Sequence, residues 1–482
     1  MANPDEFKVD FPLRAFVPER LGARSVDEPA RKIPVLTDCD LAVFGGGPAG
    51  VCAAAAAARS GKRVVLVEHY GFLGGMATAA NVNMLHSLYG TDGKTRIIGG
   101  LSEEIIRRLQ QRGAARNYAP DGQTGPWAVC SETAKFVFDD MMVASGVKLL
   151  LHTSFADVLR DGRRIKAAVI EGKSGREAVV ASVYIDCTGD ADLVRRAGLE
   201  TQFGDAAGRC QPPSLCFRLA GIKPDAAKES AIQDELAKTL MDYNGQKYSN
   251  FLWSTAGIWD SGEMMLSGVR VPRIDAADTL DLTRAEIEGR YQLRWLMDRL
   301  KTMLGWEDAH LVDIATQIGV RETHRIIADH QLTREEVLEG VSFEDTVAQG
   351  TYPIDIHNPD GLGIRFERLD GGWKRINDDG SVEQGRWDGR PEGSQPRDTL
   401  CYQVPYRCLI PRDLDNVLAA GRCCGTDHES TGAIRVMINC MQLGQAAGTA
   451  AAMTARDGDV RKIDGPTLRK NLIAAGVPLQ PV

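Results

Sequence analysis

Two short, wholly apolar runs, Leu41–Phe44 and Val64–Val67, bracket a glycine turn and a stretch of small residues. Runs of this length with no polar alternation predict strands buried on both faces, as in a parallel sheet. Between them Gly45-Gly46-Gly47-Pro48-Ala49-Gly50 opens into Val51–Ala58, which predicts a helix stopped near Arg59. Ile105, Ile106 and Leu109 then share one face of an expected helix over 102–111, and another is expected over 131–145. Short apolar runs at 148–151, 155–160, 165–171 and 178–181 read as strands, with turns at Asp161-Gly162 and Lys173-Ser174-Gly175. Val183–Asp186 feeds a further turn, Cys187-Thr188-Gly189-Asp190.

From about residue 205 the chain is richer in Trp, Arg and loops. Helices are predicted over 283–303 and 311–330, and 358–398, dense in Gly, Asp and Pro, reads as a long surface excursion. An apolar strand returns at 416–421, followed by a small-residue helix over 434–454 in which Gly444 and Gly448 allow close packing. The order predicts an α/β fold: a Rossmann-like nucleotide-binding domain, discontinuous in sequence, with an inserted α+β substrate domain. The expected divisions are an arm at 1–37, the first part of the nucleotide domain at 38–205, the substrate or cap domain at 206–405, and the second part with a C-terminal helix at 406–482.

The strand–turn–helix–strand unit carries specific chemistry. In a GxGxxG turn the first glycine, Gly45, permits the tight bend, and Gly47 lets backbone N–H groups reach a pyrophosphate. Gly50 lets helix and sheet approach closely. The helix N-terminus offers unpaired N–H groups and a positive dipole end to phosphates. Glu68, at the tip of the second strand, is placed to accept the ribose hydroxyls of an adenosine. The flanking strands and the closing acid make this a dinucleotide site rather than a chance glycine turn.

Composition narrows the setting. A formal net charge of −8 disfavours a nucleic-acid or anionic-membrane partner. No apolar run approaches the ~20 residues of a membrane span. The 11 cysteines show neither CxxC nor zinc-ligand spacing, so reduced thiols in the cytoplasm and no metal site are expected. No second GxGxxG follows a strand, which argues against a built-in NAD(P)H domain.

Several further stretches complete a pattern: Leu73-Gly74-Gly75-Met76, Ile185–Asp190, Gln317–Thr323, Tyr352–His357, and residues 416 through 448. In this order, with Gly45–Gly50 and Glu68, they resemble the bacterial FAD-dependent oxidoreductases, a family distantly similar to fumarate reductase flavoproteins and glucose-inhibited division protein A. The resemblance implies FAD lying extended along the sheet. Gly45, Gly47 and Gly50, with Pro48 and Ala49, would face its pyrophosphate, and Glu68 with His69 would flank the adenosine ribose. Gly74, Gly75 and Met76 would pass beside the phosphates and the flavin. Phe155 would lie near the adenine, and Thr188, Gly189 and Asp190 near the pyrophosphate. Gly421, Arg422, Arg435 and Val436 would approach the ribityl chain and isoalloxazine. Covalent attachment through His69 or His86 is open in related folds; no pattern here demands it, and non-covalent FAD is expected.

Moving hydride to or from a flavin requires a held substrate, a group for the companion proton, and cations to polarise substrate oxygens. The candidates are His428, between the returning strand and the flavin-side helix; His357, with Tyr352 and Asp355 beside it; and Arg321. Arg321 and Arg325 would share a helix face, either as functional cations or as a solvated salt-bridge face. His324 stands where the resembling family commonly has arginine. Arg270 and Arg273 would bind a carboxylate or pair with local acids. Adjacent Cys423 and Cys424 are a strained redox disulfide, a soft-metal ligand pair, or two small buried residues at a strand end. The expected function is an FAD-dependent dehydrogenase or reductase transferring hydride between flavin N5 and a small polar organic substrate. The electron donor or acceptor stays open, and a homo-oligomer is compatible. The alternatives are a tRNA-modifying flavoprotein similar to glucose-inhibited division protein A and a flavin monooxygenase.

Overall fold

The computed structural model describes residues 17–18, 20, 22, 25–223, 241–243, 246–248, 253–256, 263–378, 380–391, 393–454 and 458–480. Its centre is a seven-stranded sheet: β1 (Val35–Phe44), β2 (Val64–Val67), β3 (Lys148–Leu150), β4 (Ser154–Asp161), β5 (Arg164–Gly172), β6 (Gly175–Asp186) and β7 (Val417–Ala419). β3, β2, β1 and β6 run parallel in that order, and β7 joins the end of β6, also in parallel. β4 and β5 form an antiparallel hairpin on the first half of β6. The two strands predicted over 178–186 are one continuous strand, because Ser182 interrupts the apolar run without breaking the β1 pairing around it.

Helix α1 (Pro48–Arg59) follows β1; proline fits its first turn because the missing N–H would be unpaired there anyway. α2 (Leu101–Gln110) buries Ile105, Ile106 and Leu109, and α3 (Ser131–Ser145) closes with Gly146 in the left-handed region. In the middle of the chain Ser214–Ala220 and Met264–Arg270 pair antiparallel, with Trp253–Ala256 and His310–Ile314 on the outer edges. α4 (Thr279–Leu300), whose first N–H groups Asp278 caps, packs on this sheet around Phe217, Leu266, Leu293 and Leu296.

Three expectations for the second half change. Residues 311–330 form no helix: His310–Ile314 is a strand, and His324–Ile326 pairs with Thr201–Phe203. Val312 and Ile314 favour extended backbone, and Gly319 is extended against Ser214 in a β-bridge. Residues 358–398 are not all loop, since Ile354–His357, Ile364–Glu367, Gly372–Ile376 and Val382–Arg386 form a four-stranded antiparallel meander. Its Gly and Asp residues mark the turns between short strands. The last predicted helix is two helices, α5 (His428–Ile434) and α6 (Met437–Met453), separated where Val436 is extended. α6 lies directly on α1: a methyl at Gly444 or Gly448 would collide with the carbonyl of Ala49 or Ala53.

Candidate active site

The strand register sets the site. Phe44 pairs with Val67 on one side and Asp186 on the other, and Asp186 pairs with Ala419, so four strands end at one level. A crevice past the carboxyl ends of parallel strands is where open α/β sheets bind ligands. Here it is a cavity of about 620 Å³ running from Phe155 and Glu68, past the glycine turn, to His357.

At its near end Gly45 has φ +93°, and a side chain there would strike the carbonyl of Cys187. Gly47 is the N-cap of α1 with no side-chain cap, and Gly47, Pro48 and Ala49 line the cavity. The first N–H groups of α1 are therefore left for an anion. Glu68 is buried; its Oε2 accepts from Gly46 N at 2.6 Å and its Oε1 from Tyr70 N at 2.9 Å. Both oxygens keep accepting capacity. His69 lies with Nδ1 2.9 Å from Glu68 Oε1; burial opposes its protonation, but the Glu68 carboxylate raises its pKa overall. Asp190 Oδ1 accepts from Arg422 Nη2 at 2.7 Å and from the Thr323 hydroxyl at 2.5 Å. Arg422 also donates to Val320 O and Gly189 O, so its guanidinium ties the 188–190 turn to the 320 segment.

The far end is built on strand alternation. Asp355 and His357, two apart on the strand Ile354–His357, face the same way, and both are buried. Asp355 Oδ2 accepts from the Tyr352 hydroxyl at 2.8 Å and from Arg435 Nη2 at 3.0 Å, while Oδ1 lies 3.3 Å from His357 Nε2. Burial alone would raise the Asp355 carboxyl, but the His357 Nε2 contact and the charges of Arg435 and Arg321 hold it well below the usual range, so it is ionised. Burial, then Arg321, pushes His357 well below the usual imidazole value, leaving a neutral ring. Burial and the Asp355 charge push the Tyr352 phenol well up. His357 Nδ1 and Arg435 Nε are buried and hydrogen-bond to no protein group. Arg321 Nη1 donates to Pro212 O at 2.7 Å and Ser214 Oγ at 2.8 Å, and Arg270 Nη1 to Leu362 O at 2.6 Å. His86 packs against Tyr352 at 4.0 Å between ring centroids with the rings tilted by 42°, and burial pushes its pKa down to about 4.

A family model described as FAD dependent oxidoreductase matches residues 40–472. This chain belongs to that family. It is an FAD-dependent oxidoreductase, and the near end of its cavity fits the cofactor: an uncapped helix end for the pyrophosphate and a buried carboxylate for the ribose. Solved structures similar to this oxidoreductase include a geranylgeranyl bacteriochlorophyll reductase-like protein from Thermoplasma acidophilum. That match has 12% identity, covers 91% of this chain and 83% of the other, and has a TM-score of 0.45. A flavin-dependent brominase shares 14% identity over 91% of this chain and 83% of its own, with a TM-score of 0.43. A myxobacterial chondrochloren halogenase shares 14% identity over 90% of this chain and 78% of its own, with a TM-score of 0.44. No curated protein matches the oxidoreductase in sequence. Among the described residues no helix is long and apolar enough to cross a membrane, and no group of three His, Cys, Asp or Glu could hold a metal.

Most of the residues expected at the site line the cavity of the oxidoreductase: Gly45, Gly47, Pro48, Ala49, Glu68, His69, Gly75, Met76, Phe155, Thr188, Gly189, Asp190, Gly421, Arg422, Arg435, Val436, His357 and Arg321. Gly50 and Gly74 are not in its wall. Gly50 sits under the turn, where a methyl would overlap the Gly45 carbonyl, and Gly74 N donates to Gly46 O at 2.8 Å, joining the two glycine loops. His428 is not in the wall either. It begins α5 with Nδ1 2.9 Å from Glu322 Oε1, and the same carboxylate pairs with Arg325. Glu322 in turn accepts from Gln211 N at 3.1 Å, and Gln211 Oε1 accepts from His357 N at 3.2 Å. His428 thus reaches the cavity through Glu322, Gln211 and the His357 backbone. Arg325 is buried in this network, not on a solvated face, and exposed Arg273 pairs with Asp360. Cys423 and Cys424 are buried and unbridged, and burial pushes the Cys424 thiol up to about 12. Ser214 is not among the residues the sequence points to, and Tyr352 and Asp355 enter there only as neighbours of His357; the i, i+2 spacing of Asp355 and His357 is the signal available.

Replacing Glu68 with alanine should weaken FAD binding by ~1–3 kcal/mol, the loss expected where a carboxylate that accepts two ribose hydroxyls is removed. Equilibrium dialysis against FAD measures this, and undiminished affinity would remove Glu68 from the ribose.

Proposed function

We propose that this enzyme moves hydride between flavin N5 and a small polar organic substrate seated at the His357 end of the cavity. The observation that carries the reading is His357 Nδ1: buried in the cavity wall, without a protein partner, on a ring whose Nε2 lies 3.3 Å from an ionised carboxylate. Bound FAD supplies the two-electron chemistry. With Asp355 beside Nε2, the favoured tautomer keeps the proton there and leaves the lone pair on Nδ1. A neutral imidazole accepts a substrate hydroxyl or amine proton as hydride leaves the carbon. Tyr352 stays protonated and donates to Asp355, and Arg435 holds that carboxylate from the other side. Arg321 keeps the rest of its guanidinium for substrate oxygens.

The layout supports a Rossmann-like FAD domain that is discontinuous in sequence, with 206–405 as an inserted substrate domain. β1 to β6 and β7 share one sheet, whereas Arg270, Arg321, Asp355 and His357 come from the segment between. The purified protein should be yellow, with one FAD per chain that acid precipitation releases into the supernatant. Anaerobic screening of small polar metabolites should then find one that bleaches the flavin. A colourless protein, or a flavin that dithionite reduces but no small molecule cycles, would overturn the reading.

A further inference from the structure

Three guanidinium groups, those of Arg270, Arg321 and Arg435, line one end of the cavity, and among the described residues only Asp355 answers them. Arg435 bonds to Asp355, but Arg270 and Arg321 bond to neutral oxygens alone, the Leu362 and Pro212 carbonyls and the Ser214 hydroxyl. His357 and His86 are neutral. Among the described residues three positive charges thus face one negative charge in a largely buried cluster. Such cations are costly without a counter-charge. The strain is visible in the groups themselves: burial, then Arg321, pushes Arg270 down to about 9, and burial, then Arg435, pushes Arg321 down to about 10.

Their placement is specific. Ser214 pairs with Arg270 across the antiparallel strands, and it also bridges Gly319, two residues before Arg321. Ser214 Oγ thus meets the Arg321 guanidinium at 2.8 Å while its backbone pairs with that of Arg270, and all three residues line the cavity. Val320, Ile364 and Phe366 make the neighbouring wall apolar. Resting on the reading of this end as the substrate site, we propose that the substrate is a small organic carboxylate, its carboxylate held by Arg270 and Arg321. The planar guanidinium fork matches a carboxylate. The apolar wall suits a short carbon skeleton better than a hydrated inorganic anion.

The test titrates the FAD-loaded protein with glycolate and malonate, with their neutral amides, and with inorganic phosphate, following the flavin spectrum and the melting temperature. The carboxylates should perturb the spectrum and raise the melting temperature, with the amides at least tenfold weaker. Arg270→Gln and Arg321→Gln should each lower carboxylate affinity at least tenfold and shrink the preference over the amide. The amide comparison needs no variant and decides the matter even if a variant fails to fold. Equal binding of amides, tighter binding of phosphate, or no binding by either acid would overturn the proposal. A neutral metabolite that bleaches the flavin would do so while leaving the hydride-transfer reading intact. Carboxylate binding to a flavin that nothing cycles would uphold this proposal and remove that reading.

Discussion

Replacing His357 with alanine is expected to leave FAD bound and to slow flavin reduction by substrate ~10²–10⁴-fold, the usual loss when a positioned base is removed. The ring is neutral in the folded protein because burial and Arg321 disfavour its charge. In the wild type the step should therefore persist below pH 6.5, and it should fall only when pH drops far enough to protonate Nδ1. Stopped-flow bleaching under anaerobic conditions measures both the rate and its pH profile. His428→Ala is the informative companion, since His428 meets Glu322 rather than the cavity. It should lower thermal stability and alter the rate far less than His357→Ala. Bleaching at the wild-type rate in His357→Ala would move the proton to another group.

Asp355→Leu is expected to destabilise the fold by ~3–5 kcal/mol, because Arg435 and Arg321 would remain buried beside a lost counter-charge. The same carboxylate makes stability depend on pH. Its folded pKa is depressed below the unfolded value of 3.8, so its contribution is present above that value and is lost as pH falls through and below it. Denaturant melts of wild type and Asp355→Asn at pH 7 and pH 3 separate this contribution from that of other acids. The wild type should lose more stability on acidification than the variant. Equal losses would show that Asp355 is not the ionised hub of the cluster.

The near end of the cavity was legible because its chemistry is local. Gly45, Gly47, Gly50 and Glu68 lie within one strand–turn–helix–strand unit, whose geometry is fixed by short-range sterics. The far end was not. Arg270, Arg321, Asp355 and Arg435 come from separate segments that meet only once Ser214 pairs with Arg270 and the 319 segment bridges Ser214. Reading 311–330 as a helix put Arg321 and Arg325 on one face. The extended backbone instead sends Arg321 to the cavity and Arg325 to Glu322. His428 looked catalytic because few residues separate it from Gly421. Those residues lead into a short helix, and its first turn points His428 at Glu322. The Gly- and Asp-rich stretch after His357 hid strands because composition registers turns more strongly than the short runs between them.

The close seat of Gly444 and Gly448 on α1 has a consequence for how the protein is made. α1 leaves the ribosome early, with Ala49 and Ala53 lacking the helix that will cover them. β7 and α6 emerge only after more than 300 further residues have been made. Until then the nascent chain carries a glycine turn with no finished crevice around it, and its alanine-rich face stays open to wrong partners. A finished crevice for the cofactor therefore waits on β7 and α6. A chain truncated before α6 is therefore expected not to be rescued by supplying flavin.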